Sequence, residues 1–220
     1  MKDLLSVLFT KNTDQVIIQN LTNAFQDNDR MKALLGSSVK DFQNKVSCIM
    51  WYSYFMVKKI NGIFTSTGQQ TWLLFYRKSQ YYFSLKDCLN YCFLAFYVIG
   101  FRRLLQVYLR ERRVRNIRRQ KIKNEGDDDY LYVWFMAQKR NCHSLKGLME
   151  AKQFIIRRAA TLHLPIYMET TEKRLVNIYK RIGFQFYDCL IDREANLSIW
   201  FGRYDYNTNP KINFRNPHRT

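Results

Sequence analysis

Leu131-Tyr132-Val133-Trp134-Phe135-Met136-Ala137 is an apolar run that stops abruptly at Gln138-Lys139-Arg140-Asn141-Cys142-His143-Ser144. Its length and its β-branched and aromatic content predict a buried strand running into a polar loop. Beyond the loop, Leu145, Leu148, Met149, Ala151, Phe154, Ile155, Ala159 and Leu162 recur at helical spacing, and Pro165-Ile166-Tyr167-Met168-Glu169 returns to strand character. Strand, loop, helix, strand is a crossover unit, so 131–137 and 165–169 are expected as parallel neighbours with the helix 145–161 crossing between them. The N–H groups that open such a helix point into the space beyond the first strand, where an anion is held.

The next stretch sharpens the reading. Residues 172–180 form a short helix that ends at Gly183-Phe184, before the strand-like Gln185-Phe186-Tyr187-Asp188. The order strand, loop, long helix, strand ending Glu169-Thr170-Thr171, then Tyr179-Lys180-Arg181-Ile182-Gly183-Phe184, resembles the GNAT superfamily, the Gcn5-related N-acetyltransferases. The Tyr-x-x-x-Gly-Phe ending is the most specific piece and is intact. The resemblance implies an α/β (α+β) fold with a mixed central sheet flanked by helices, in which the two parallel strands splay at their C-terminal ends to open a coenzyme notch. It implies acetyl-CoA as cosubstrate and an amine acceptor that attacks the thioester directly, without a covalent enzyme intermediate. It also implies the site: backbone near Met136 for the pantetheine arm, amides from Asn141, Cys142, His143, Ser144, Leu145 and Lys146 for the pyrophosphate, and Tyr179 as proton donor to the coenzyme sulfur. An unperturbed phenol, with a pKa near ~10, stays protonated at neutral pH and can donate.

The loop departs from the family's Val-x-Pro-x-x-Gln-Gly-x-Gly-Ile-Gly pattern. Aligned on residues 136–146 it keeps the apolar positions and replaces every glycine, which removes residues that accept positive φ and let phosphate approach the backbone. Lys139, Arg140, His143 and Lys146 offer compensating charge. Two functions therefore stay open: an N-acetyltransferase, or a catalytically degenerate basic module on the same fold that binds a polyanion or a partner protein. Glu169, at its strand end, reads either as a water-mediated general base or as a polar strand terminus. Cys142 beside His143 invites a thiol mechanism, but adjacent loop residues seldom face each other and no third orienting group is evident. The sequence does not read out the acceptor.

A length of 220 residues suits one α/β domain spanning 1–220, and 47% hydrophobic with 16% aromatic residues argues against general disorder. Only 8 Gly and 3 Pro leave little for long linkers. The formal charge of +18 favours polyanionic partners, whether nucleic acid, an anionic membrane surface or phosphorylated ligands. Five cysteines without metal-ligand spacing suit a reducing compartment, hence a cytoplasmic location, and Cys88 and Cys92, four apart on a helix, read as two core cysteines rather than a metal pair. No metal and no secretory signal are expected.

The rest of the chain supplies the frame. An apolar beginning at 1–9 precedes a helix through Val16, Ile17, Ile18, Leu21, Ala24 and Phe25, then helices at 30–35 and 39–51 broken by Gly36-Ser37-Ser38. Residues 51–60, 63–65 and 71–76 read as strands of an antiparallel meander, with turns at Asn61-Gly62 and Gly68-Gln69-Gln70. A basic helical insertion follows at about 84–123. Its apolar part, through Cys88, Leu89, Cys92, Phe93, Phe96, Tyr97 and Ile99, is too short to span a bilayer and reads as buried or interfacial. Its basic part, 102–123, carries Leu104, Leu105, Tyr108 and Leu109 on one face; a solvated basic side is the plain reading and an anionic partner the competing one. Residues 124–129 form a solvated acidic loop rather than a calcium loop, 196–203 a final strand paired with the one after Gly183, and 206–220 a polar tail.

Overall fold

The computed structural model describes residues 12–36, 41–142 and 144–208. The expected apolar beginning, part of the break after Gly36, His143 and most of the polar tail lie outside these residues; the tail's start is a short 3₁₀ turn, Tyr206–Thr208.

Among the described residues, six strands form one mixed sheet in the order β1-β2-β3-β4-β6-β5. They are β1 (Ile63–Thr65), β2 (Thr71–Arg77), β3 (Leu131–Gln138), β4 (Ile166–Thr170), β5 (Gln185–Asp192) and β6 (Leu197–Tyr204). The parallel pair is β3 with β4, as the crossover unit predicts; the other neighbours in this sheet run antiparallel. The crossover helix α6 (Lys146–Leu162) and the short α7 (Lys173–Arg181) cover one face, where Ala151, Ile155, Ile156 and Ala159 pack on Leu73, Phe75, Leu131, Ile166 and Met168. The other face is covered by α1 (Asn12–Phe25), α2 (Asp29–Leu35), α3 (Phe42–Lys58) and part of α5 (Phe101–Glu125).

Three expectations are corrected. Residues 51–60, expected as a strand, belong mostly to α3 and its closing turn. The run Met50, Tyr52, Ser53, Tyr54, Met56, Val57 is buried on nearly every side of the helix, so no solvent face leaves a polar stripe to reveal the helical period. Cys88 and Cys92, expected in the core, are exposed on α4 (Leu85–Phe93), because that helix turns its apolar side outward. On α5 the expected apolar face is likewise outside: Leu105, Tyr108 and Leu109 are exposed, while Val107, Arg110 and Val114 are buried. The inward register is set by arginines. Arg110 reaches Asp192 at 3.8 Å and Arg118 reaches Glu169 at 2.7 Å, and the Arg118 guanidinium lies over the Tyr132 ring.

Between α4 and α5 the chain makes a π-helical turn, Leu94–Ile99, that buries Leu94, Ala95 and Val98. It breaks at Gly100, whose φ of 86° suits glycine. Ser84 and Asp87 open α4 with a reciprocal capping box, and Lys59 pairs with Asp87 to tie it to the end of α3.

Candidate active site

The site begins with a defect in the sheet. Leu74 faces Phe135 but Phe75 faces Val133, so Trp134 is an extra residue on β3, a β-bulge that bends the strand. Pairing of β3 with β4 covers Leu131, Tyr132 and Val133 only, and it ends at Val133 opposite Met168, where the bulge begins. Beyond that point the two strands are not paired and a cleft of about 500 Å³ opens between β3, β4, α6 and α7, lined by Val133, Met136, Met168, Glu172 and Tyr179 among others.

Backbone geometry gives this largely apolar cleft one polar edge. The Lys139 N–H donates to the Gln70 carbonyl at 2.7 Å. Hydrogen-bonded pairs alternate along an antiparallel ladder, so Ala137 and Phe135 also turn their polar groups to β2. Met136 and Gln138 occupy the intervening positions. Their N–H and C=O groups point away from β2, into the gap that β4 leaves open.

At the far end lies the loop before α6. In the glycine-free loop Asn141 takes the left-handed conformation, at φ 65°. The loop is tied by a Cys142 N–H bond to the Lys139 carbonyl, by Gln138 Nε2 donating to the Ser144 carbonyl at 2.6 Å, and by Cys142 Sγ donating to Gln70 Oε1 at 3.1 Å. The Cys142 amide is thus used within the turn, and the Lys146 amide is capped by Ser144 Oγ at 3.3 Å. The first turn of α6 opens with N–H groups that have no intrahelical partner. Arg140, Lys152 and Arg174 stand around the same cleft.

One glycine survives a single residue past the loop segment that aligns with the family pattern. A Cβ on Gly147 would stand 2.4 Å from Thr71 Oγ1, so only glycine lets the first turn of α6 press against β2.

Tyr179 lies on the inner side of α7, its ring edge-on to Phe184 at 5.7 Å. It lines the main cleft and a smaller adjoining pocket of about 110 Å³. Its hydroxyl makes no hydrogen bond among the described residues. Burial, and then the nearby Glu172 carboxylate, push the phenol above its ordinary pKa, so it remains a donor at alkaline pH.

Glu169 arrives differently. Its side chain is 2% exposed, with Oε2 accepting from Arg30 at 3.0 Å and Oε1 from Arg118 at 2.7 Å, while Arg30 also pairs with Glu111 at 3.1 Å. Both oxygens are engaged by guanidinium groups. The carboxylate with freer access is Glu172, which sequence reasoning passed over. It holds the residue position just before α7, lines both the cleft and the pocket, and is ion-paired with Arg174 at 2.7 Å. Among the described residues no cluster of His, Cys, Asp or Glu is arranged to hold a metal ion.

No protein-family model and no curated protein matches this chain. Solved structures do. The C-terminal condensation domain of Ebony, in complex with beta-alanyl-dopamine, superposes with a TM-score of 0.61 at 9% identity, covering 87% of this chain and 93% of that one. A putative arylalkylamine N-acetyltransferase 7 from the yellow fever mosquito Aedes aegypti gives 0.58 at 11% identity, over 90% and 85%. A mutant agmatine N-acetyltransferase in its apo form gives 0.51 at 10% identity, over 87% and 94%. The chain has the fold of the GNAT N-acetyltransferases, a mixed sheet split between two parallel strands.

Proposed function

We propose that the protein is an acyl-CoA-dependent N-acyltransferase, with acetyl-CoA as cosubstrate and a primary amine as acceptor. The observation that carries this reading is the split between β3 and β4: unpaired backbone of Met136 at its centre, the N-terminus of α6 at one end, and the free Tyr179 hydroxyl on its wall. The slot accepts an extended amide-bearing chain as a further strand would be accepted. The loop and first turn of α6, with Arg140 and Lys146, supply positive potential for a pyrophosphate.

Acetyl-CoA would bring the reactive thioester. The chain's own residues then do three things. Met136 backbone fixes the depth of the acyl arm. Tyr179 gives its proton to the sulfur that leaves when the amine nitrogen bonds to the carbonyl carbon, and regains one from solvent. Glu172, through water, takes the proton the amine sheds. Glu169 is assigned to holding Arg30 and Arg118 in place, the polar-terminus alternative of its two sequence readings. The acceptor enters through the smaller pocket beside Phe25, Trp134, Thr170 and Glu172.

Similarity to enzymes acting on amines supports the class, and the amine itself is to be found by screening. Calorimetry with acetyl-CoA is the direct test, and binding at micromolar or tighter Kd is expected. Heat silence with acetyl-CoA and longer acyl-CoA at high concentration removes the enzyme reading in favour of a basic binding module. Replacing Lys146 with Glu weakens binding without unfolding the protein if the pyrophosphate sits at α6.

A further inference from the structure

The acyl-transfer reading leaves the outer surface of the segment between β2 and β3 without a use. On α4 and the π-helical turn, Leu85, Leu89, Phe93, Phe96 and Tyr97 are exposed, with Leu85 at 80%. On α5, Phe101, Leu105, Tyr108 and Leu109 are exposed at helical spacing, with Phe101 at 80%. Scattered apolar residues on a surface mean little, but a run that keeps the helical period over two consecutive helices, facing outward, is an amphipathic face without its partner.

Charge says what that partner is. Residues 84–123 hold eleven Lys and Arg against Asp87 and Glu111, so half of the chain's +18 lies here, and both acids are already paired, with Lys59 and Arg30. A second copy would bring an equal positive charge against this face, which disfavours self-association. A nucleic acid would satisfy the charge but would leave Leu85, Leu89, Leu105 and Leu109 against phosphate and water. An anionic lipid surface satisfies both, with side chains in the acyl boundary and cations among the headgroups.

Beside the stripe is a place for a headgroup. A cleft of about 990 Å³ opens between α2, α5 and the β5–β6 turn, with Leu105 and Leu109 among its lining residues. Lys32, Arg103, Arg110, Arg112 and Arg113 contribute cations to it, against Asp29, Asp192 and Glu194. Asp192 is occupied by Arg110 and Arg113 and Asp29 by Lys32, whereas Arg103 and Arg112 have no ion pair among the described residues. Arg110 is buried on the wall of this cleft; its Nη1 side faces Asp192 at 3.8 Å, while Nε and Nη2 lack hydrogen-bond partners among the described residues.

We propose that α4, the π-helical turn and the first turns of α5 form an interfacial docking surface for anionic lipid bilayers, with a headgroup phosphate seated in the arginine-lined cleft beside it. No described helix is long and apolar enough to cross a membrane, so the helices lie in the interface.

The test is co-sedimentation with vesicles of phosphatidylcholine alone and with about one-third phosphatidylglycerol. Binding is expected only to the anionic vesicles. Leu105→Ser with Phe101→Ser lowers partitioning at least about tenfold, and Arg103→Gln and Arg112→Gln lower it about fivefold each, since a basic residue near such a surface contributes roughly that factor. These side chains are exposed, and an unchanged melting curve verifies folding. The unmodified protein gives an independent reading through Cys88 and Cys92 on α4, whose alkylation is slowed by anionic vesicles and not by neutral ones. Equal binding to neutral vesicles overturns the proposal, as does anionic binding indifferent to the serine substitutions, which marks a general polyanion surface. A dimer in sedimentation that Leu105→Ser dissolves assigns the face to a second copy and overturns it too.

Discussion

Tyr179 and Glu169 are the two catalytic candidates of the sequence, and their polar atoms have different surroundings in the structure. The Tyr179 hydroxyl faces the cleft without a hydrogen-bond partner among the described residues, so Tyr179→Phe removes a proton donor and almost nothing structural. Turnover is expected to fall ~10²–10⁴-fold with coenzyme affinity and melting temperature nearly unchanged. A rate that survives in the folded variant removes the residue from the mechanism. Because burial and Glu172 raise this phenol's pKa, it is protonated below and through the ordinary tyrosine range. Any alkaline fall in kcat near pH ~10 therefore belongs to another group and persists in the phenylalanine variant. Glu169→Gln acts the opposite way. It leaves Arg118 without a carboxylate and Arg30 with Glu111 alone around a 2% exposed side chain, and is expected to cost about 3 kcal/mol of stability, read by denaturant melts. A stable Glu169→Gln protein with turnover lowered a hundredfold returns Glu169 to the role of base.

The elements divide by how much of their surface the sequence pattern could register. The crossover unit was legible because β3 and β4 are strands with clear ends and α6 is amphipathic in the ordinary sense, its Ala151, Ile155 and Ala159 inward. Residues 51–60 were not legible as helix because Met50, Tyr52, Tyr54, Met56 and Val57 leave no polar face, and β-prone aromatic residues then read as strand. The face of α5 was misplaced for a different reason. Apolar residues mark a buried face only when the rest of the chain supplies something to bury them against; here Asp192 and Glu169 draw Arg110 and Arg118 inward instead. Nor could residue spacing show that bulge-driven loss of pairing after Val133 would expose Met136. Gly147 was visible in the sequence, but its reason lies across the sheet at Thr71. Gly147→Ala gains up to about 1 kcal/mol in helix propensity and meets Thr71 Oγ1 at 2.4 Å, an overpacking that costs about 1–3 kcal/mol. The net expectation is a lower melting temperature and weaker acetyl-CoA binding as the N-terminus of α6 is displaced. Adding Thr71→Ala, whose lost hydroxyl has no hydrogen-bond partner, restores part of both; no rescue means the glycine is needed for something other than room.

Across the whole molecule the excess of cations decides how the fold responds to salt. Two unit charges about 10 Å apart in water interact by ~0.4 kcal/mol, and at physiological ionic strength screening cuts this to about a third. Attractions and repulsions are screened alike, so the sign of the effect depends on which are more numerous among exposed groups. Here 36 Lys and Arg face 18 Asp and Glu, and several of those acids sit in partly or fully buried pairs that salt reaches poorly, Glu169 and Asp192 foremost. What remains at the surface is mainly repulsion, most of all along α5, where Arg112, Arg113, Arg115 and Arg119 follow one another on exposed turns. Raising sodium chloride from low to physiological concentration should therefore raise the melting temperature by a few degrees. Glu169→Gln should keep that salt response, because the pair it breaks is shielded from ions, whereas replacing Arg112, Arg115 and Arg119 together with glutamine should raise stability at low salt and flatten the response. A melting temperature that falls with salt would mean that surface ion pairs outweigh self-repulsion, and the basic helix would then be stabilising its own fold rather than standing charged and ready for an anionic surface.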